Sequence, residues 1–249
     1  MIDKRYMCLV VTILSALYCY QFIFKGWIPH DEGILAHTAE RALNGEIPHV
    51  DFDEMYTGGL TYLHAVAFKI WGLKLSSLRI MLFLFFIPLT PILYFISARI
   101  VNSWIAALMT MLCVFWSVPN YFASMPSWYN LFFTVLGIAL LLRYLDTNKA
   151  IFLFCAGLCG GLSFLVKVIG IYYIIAVTIF LIYYEQSSLT TDNSNKSKAS
   201  FNFAILKTIF LGTIVIGLFF LIKRHLRFME LTHFVVPGGL ICIFLILLE

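Results

Sequence analysis

Long uninterrupted apolar runs, not a two-residue alternation of apolar and polar positions, organise most of this chain. The runs Met7 to Trp27, Ser76 to Ile96, Ser103 to Val118, Ser127 to Leu145, Ile151 to Val166, Ile169 to Tyr184, Phe203 to Ile222 and Phe234 to Leu248 each read as a membrane-spanning helix. Backbone amides cannot stay unpaired in hydrocarbon, and period-two patterning is missing, so helices are favoured over a barrel. The predicted fold class is all-α: a polytopic transmembrane helical protein of about eight spans.

The interruptions set the organisation. Leu60 to Trp71 is apolar but too short to cross, and it carries His64 and Lys69, so it is placed as a juxtamembrane helix in a first outer loop, residues 28–75. A transmembrane core is then expected over residues 1–184, a polar, Ser/Asn/Lys-rich cytoplasmic linker over 185–200 and further spans over 201–249. No small-residue cleavage site follows the first run, which is read as a retained anchor. This topology collects Lys4, Arg5, Arg99, Arg143, Lys149, Lys196 and Lys198 on the cytoplasmic side, as the positive-inside rule expects. Lys223, Arg224 and Arg227 fall outside and count against it. The sequon Asn195-Lys196-Ser197 lies in the cytoplasmic linker, where a match is by chance.

Composition agrees with lipid as the solvent. The 249 residues are 61% hydrophobic and only 12% charged, with 24 phenylalanines, and the mean hydropathy is +0.92, which removes the chain from the soluble class. A net charge of +4 with scattered Lys and Arg gives no nucleic-acid stripe. The six cysteines lie inside apolar runs without CxxC pairs or histidine partners at zinc spacing. Cys155 and Cys159 share a helix face, yet have no polar ligands nearby in sequence.

Chemistry concentrates in the first outer loop. Seven of the thirteen acidic residues fall between Asp31 and Glu54, and His30, His37, His49 and His64 sit in or beside the same window. Pro29 is expected to close the first helical region, and Asp31 to cap a short surface helix with Ile34, Leu35, Thr38, Ala39, Ala42 and Leu43 on one face and Asn44-Gly45 at its end. Ile47 to Phe52 reads as extended chain, and Tyr56-Thr57-Gly58-Gly59 as a turn. Each candidate also has a plain reading. Asp31 and Glu32 can simply start a helix at the positive end of its dipole, while Glu40, Glu46, Asp53 and Glu54 read as solvated and His37 as surface decoration. His64 either snorkels or binds a phosphate; Lys167 either sits at the interface or contacts one. Asn130 is either an interhelical hydrogen bonder or a substrate ligand, Trp128 and Tyr129 fit an aromatic belt, and Arg143 a cytoplasmic flank.

The run Asp31-Glu32-Gly33, Ala39-Glu40-Arg41, Asn44-Gly45-Glu46-Ile47-Pro48, Asp51-Phe52, Gly58-Gly59, Tyr62, Phe68-Lys69, Trp71-Gly72 and Arg79 resembles the first outer loop of GT-C membrane glycosyltransferases. The branch it is most similar to is the protein-mannosyltransferase-like group, glycosyltransferase family 39 and its bacterial relatives. Ser127-Trp128-Tyr129-Asn130-Leu131 and Gly160-Gly161-Leu162-Ser163-Phe164-Leu165 are similar to that group's middle spans, so the likeness covers roughly residues 10 to 185.

The resemblance implies an inverting transferase that moves a sugar from a polyprenyl-phosphate donor to an acceptor on the periplasmic or extracellular side of a bacterial inner membrane. The residue matching the family's loop acid is Asp31, with Glu32 beside it as a second catalytic candidate. A carboxylate at the lipid interface suits the removal of an acceptor hydroxyl's proton. The leaving lipid phosphate calls for cationic or hydrogen-bonding partners, for which His64, Arg79 and Lys167 are the candidates, and Asp51 and Asn130 are further substrate-binding candidates. No cofactor is required, and a divalent metal is not indicated. The chain departs from the family at Tyr56-Thr57, where some branches carry a lysine, and near Ser127 to Asn130, where related branches often carry a second acid. Family members usually continue beyond the equivalent of Glu249, so a truncated or split enzyme is expected, and a non-catalytic fragment is one alternative. A carrier of lipid-linked sugars is the other; it predicts ionisable groups near the bilayer midplane, where this sequence has few.

Overall fold

The computed structural model describes residues 4–25, 29–118 and 122–191. Among the described residues all regular structure is helical: α1 (Lys4–Tyr20), α2 (Pro29–Leu43), α3 (Gly59–Trp71), α4 (Leu75–Ser97), α5 (Ser103–Ser117), α6 (Pro126–Thr147), α7 (Ala150–Val166) and α8 (Gly170–Thr191). An isolated bridge between Pro48 and Phe52 tightens the loop after α2. The first compact unit runs from Met1 to Tyr183 and contains all the site candidates.

The helices follow the apolar runs closely, with instructive differences at the ends. α1 stops at Tyr20, and the chain continues through i→i+3 turns, Phe22 N–H to Cys19 O and Ile23 N–H to Tyr20 O, so the run expected to reach Trp27 is not one helix. Pro29 opens α2 instead of closing the preceding region; its fixed φ and missing N–H suit the first helical turn. Asp31 therefore lies within that turn and is not its cap. α8 runs on to Thr191, into the segment expected to be linker. The spans expected at 203–222 and 234–248, Trp27, and the remaining linker lie outside the described residues.

Two helices, α4 and α6, are long and apolar enough to cross a membrane. At about 1.5 Å per residue they reach the roughly 30 Å of a hydrocarbon core. α5, α7 and the Gly170–Gln186 part of α8 are shorter apolar helices.

Packing then positions the site. α6 and α7 form a tight hairpin, turned by Asn148 in the left-handed region at φ 52°, whose N–H reaches Tyr144 O at 2.7 Å. Gly137 of α6 leaves room for Tyr173 of α8, whose Oη donates to Ala156 O; a Cβ at Gly137 would collide with that ring. α1 lies on α4, and α2 on α3, around a shared core that includes Leu35, Ala39, Leu60, Leu78, Leu82 and Phe132. At the opposite end of the bundle Arg99 pairs bidentately with Asp146, at 2.6 and 2.8 Å, and Arg99 and Arg143 both lie over the Phe95 ring. Arg99 and Arg143 thus share one end of the bundle.

Candidate functional site

α2 separates its two adjacent carboxylates. Successive helical residues are about 100° apart, so Asp31 and Glu32 take different faces. Leu35 and Ala39, one and two turns beyond Glu32, are buried, and Glu32 is itself 1% exposed. Ile34 and Thr38, the matching neighbours of Asp31, line an open groove, and Asp31 stays partly exposed.

Inside, Glu32 meets Arg79 from the second turn of α4. Arg79 Nε donates to Oε1 at 2.7 Å and Nη2 to Oε2 at 2.6 Å, while Nη1 reaches Lys25 O at 2.7 Å and Ile23 O at 3.5 Å. This buried fork fixes α2 and the end of the first helical region onto α4. Both carboxylate oxygens and all three guanidinium nitrogens are engaged, and Arg79 is only 5% exposed.

The loop beyond α2 is organised by Arg41. Its Nε donates to Glu46 at 2.7 Å, its Nη2 to Asp51 O at 3.1 Å, and its guanidinium lies 4.5 Å from the Phe52 ring centre. Asp51 accepts the Ile47 N–H at 2.7 Å, closing a turn where extended chain was expected. Its side chain therefore shapes the loop, a role the sequence reading did not assign.

The Tyr56 turn then docks on the junction of α7 and α8. Thr57 Oγ1 donates to Leu165 O at 2.5 Å, and Gly59 packs so closely on that carbonyl that a Cβ would strike it. Gly58, at φ 87°, adopts the left-handed conformation this turn needs. Docking brings Lys167 to 5.7 Å from the Tyr56 ring centre. Burial, and the nearby charges of Asp31 and Glu54, push the Tyr56 phenol above its usual value, so it stays a neutral hydrogen-bonding group. Lys167 and Tyr56 are thus neighbours although 111 positions separate them, and Asp31 lies within range for its charge to act on the phenol.

Beside them lies a groove of about 570 Å³ lined by Ser127, Trp128, Asn130, Thr134, Lys167 and Ile169. Lys167 Nζ donates to Ser127 Oγ at 3.0 Å. Asn130 Nδ2 donates to Ser163 O at 3.2 Å, so this residue both ties α6 to α7 and faces the groove. A cation, a hydroxyl, an amide and an indole together suit an amphiphilic anion.

His64 is placed elsewhere. It is fully buried with Nε2 at 2.9 Å from Ser124 Oγ and 3.3 Å from Tyr129 Oη, and it borders neither groove. Burial pulls its imidazole down to about 3, so it is neutral at ordinary pH and its role is to join α3 to the start of α6. A phosphate contact needs exposure that it lacks. Among the described residues no group of three His, Cys, Asp or Glu side chains converges into a metal site. Tyr56 and Ser127 were legible only as turn and motif residues, and Ser124 carried no signal at all. Comparison with family models, curated proteins and solved structures finds no match for this chain.

Proposed function

We propose that the chain is a polytopic membrane glycosyltransferase of GT-C type, with about eight spans, that transfers a sugar from a polyprenyl-phosphate to a hydroxyl acceptor on the outer side of the membrane. The observation that supports this reading is the docking of the Tyr56 turn on the α7–α8 junction, which sets a cation, Lys167, over the Tyr56 ring, with the charge of the partly exposed Asp31 in range of the same phenol. In this mechanism Asp31 takes the proton of the incoming hydroxyl. The new glycosidic bond forms as the bond to the lipid phosphate breaks, and Lys167, Ser127 and Asn130 stabilise the departing anion. The Trp128 side of the groove accepts the first isoprene units. Glu32 and Arg79 are a positioning pair that holds α2, and with it Asp31, against α4.

Transfer from a labelled polyprenyl-phosphate sugar in membranes tests the reading. Asp31→Asn is expected to lower the rate by about 10²- to 10⁴-fold, the usual range for a lost general base. Equal transfer by native and Asp31→Asn chains removes the proposed base, and no transfer by either removes the transferase reading for this chain.

A further inference from the structure

A second groove, of about 530 Å³, runs along the outer face of α2, bounded by His30, His37, Thr38, Arg41, Phe52 and Asp53. It is separate from the groove that holds Lys167 and shares no lining residue with it. We propose that this groove binds a hydroxyl-rich group, a saccharide, and presents it to Asp31.

The argument starts from which loop acids are already engaged. Glu32 is held by Arg79, Glu46 by Arg41, Asp51 by the Ile47 N–H, and Glu54 by Thr61 Oγ1 and the Tyr56 N–H. Asp53 and His37, by contrast, are exposed at the groove and have no hydrogen bond or ion pair among the described residues. Arg41 remains on the same wall, stacked on Phe52. An anionic ligand here meets the Asp53 carboxylate, and a cationic one meets the Arg41 guanidinium. A purely apolar segment strips water from Asp53 and His37 without replacing their hydrogen bonds. A polyol avoids all three costs, because each hydroxyl both donates, to Asp53, and accepts, from His37 or Arg41.

Placement gives the binder its direction. The groove stripe, His30, Ile34, His37 and Arg41, follows helical spacing, and Asp31 stands one turn from Ile34 and two from Thr38, at the edge of the same face. Assigning the bound saccharide as the acceptor rests on the transferase reading; the binding itself does not.

The test uses the full chain in lipid nanodiscs and saturation-transfer NMR with methyl α-D-mannopyranoside and methyl β-D-glucopyranoside, and cyclohexanol as an apolar control. Glycoside signals are expected from the native chain, stronger than those of cyclohexanol. Asp53→Ala and His37→Ala, both at exposed positions, are expected to weaken glycoside binding about tenfold, the loss typical of a hydrogen bond to a charged or polar partner. Lys167→Met is expected to leave it unchanged. Equal signals from native and groove variants, loss in Lys167→Met, equal signals from cyclohexanol, or no glycoside signal each overturns the proposal. Since no polyprenyl donor is present, failure here is distinguishable from failure of the transfer assay.

Discussion

Glu32 on α2 and Arg79 on α4 meet through two parallel hydrogen bonds of 2.7 and 2.6 Å, with the carboxylate and guanidinium side chains only 1% and 6% exposed. A pair removed from water this completely is costly to break on one side, because the surviving charge keeps its burial and loses its partner. We expect Glu32→Gln and Arg79→Ala each to lower stability by about 3–5 kcal/mol, the range for breaking a buried pair. Glu32→Leu combined with Arg79→Met is expected to recover most of the loss. Unfolding midpoints in detergent for the three variants check this, and equal midpoints for native chain and Arg79→Ala would sink the structural role assigned to the pair.

The turn that carries Tyr56 depends on backbone contact more than on side-chain chemistry. Gly59→Ala places a methyl group against the Leu165 carbonyl, and Thr57→Val removes the hydroxyl that donates to the same oxygen. Gly59→Ala is expected to separate the turn from the α7–α8 junction, and Thr57→Val to loosen it by about 1 kcal/mol. A Tyr56→Cys reporter read by maleimide labelling is the check. Labelling is expected to accelerate strongly in the Gly59→Ala background and modestly in the Thr57→Val one.

In the proposed transfer, Lys167 neutralises charge that develops on the leaving phosphate. Lys167→Met is expected to reduce transfer by about 10²- to 10³-fold, as for removal of one electrostatic stabiliser of a transition state. Lys167→Arg keeps the charge and should retain a substantial share of the activity. The measurement is the initial rate at saturating labelled donor. A Lys167→Met rate equal to the native one removes Lys167 from the mechanism.

How much of this was legible in the sequence depends on the range of the physics involved. The apolar runs of α4 to α7 fix helix positions to within a residue or two, because burial in an apolar medium acts on whole segments. Asp31 stood out by local density. The division of labour between Asp31 and Glu32 was implicit in the pattern, since Leu35 and Ala39 follow one acid and Ile34 and Thr38 the other, but it needed a partner on α4 to become visible. Arg79 and His64, named as phosphate-ligand candidates, hold buried structural contacts that the sequence hides for the same reason: what engages them, Glu32 in one case and Ser124 with Tyr129 in the other, lies 47 and 60 or more positions away in the chain. The meeting of Tyr56 and Lys167 depends on a turn-to-carbonyl contact that no periodicity encodes.

His64 gives the chain a calculable response to acid. The Ser124 hydroxyl has one proton and donates it to Leu78 O at 3.0 Å, which leaves its oxygen to accept from Tyr129 Oη at 2.6 Å and from His64 Nε2–H at 2.9 Å. Nδ1 is then a buried acceptor with no partner among the described residues. Protonating it would put a charge where neither water nor a carboxylate meets it, hence a folded-state value of about 3 against 6.5 for a free imidazole. The folded value is the lower one, so between those two limits the unfolded chain binds a proton that the folded chain does not, and stability falls as pH falls. The slope from this residue approaches about 1.4 kcal/mol per pH unit well inside that window and vanishes above it. Thermal midpoints from pH 8 to pH 4 for the native chain and His64→Gln check it: the variant starts less stable at pH 8, having lost the buried contacts, and declines less steeply through the acid range. Parallel declines in the two proteins would show that His64 is not the group that senses acid.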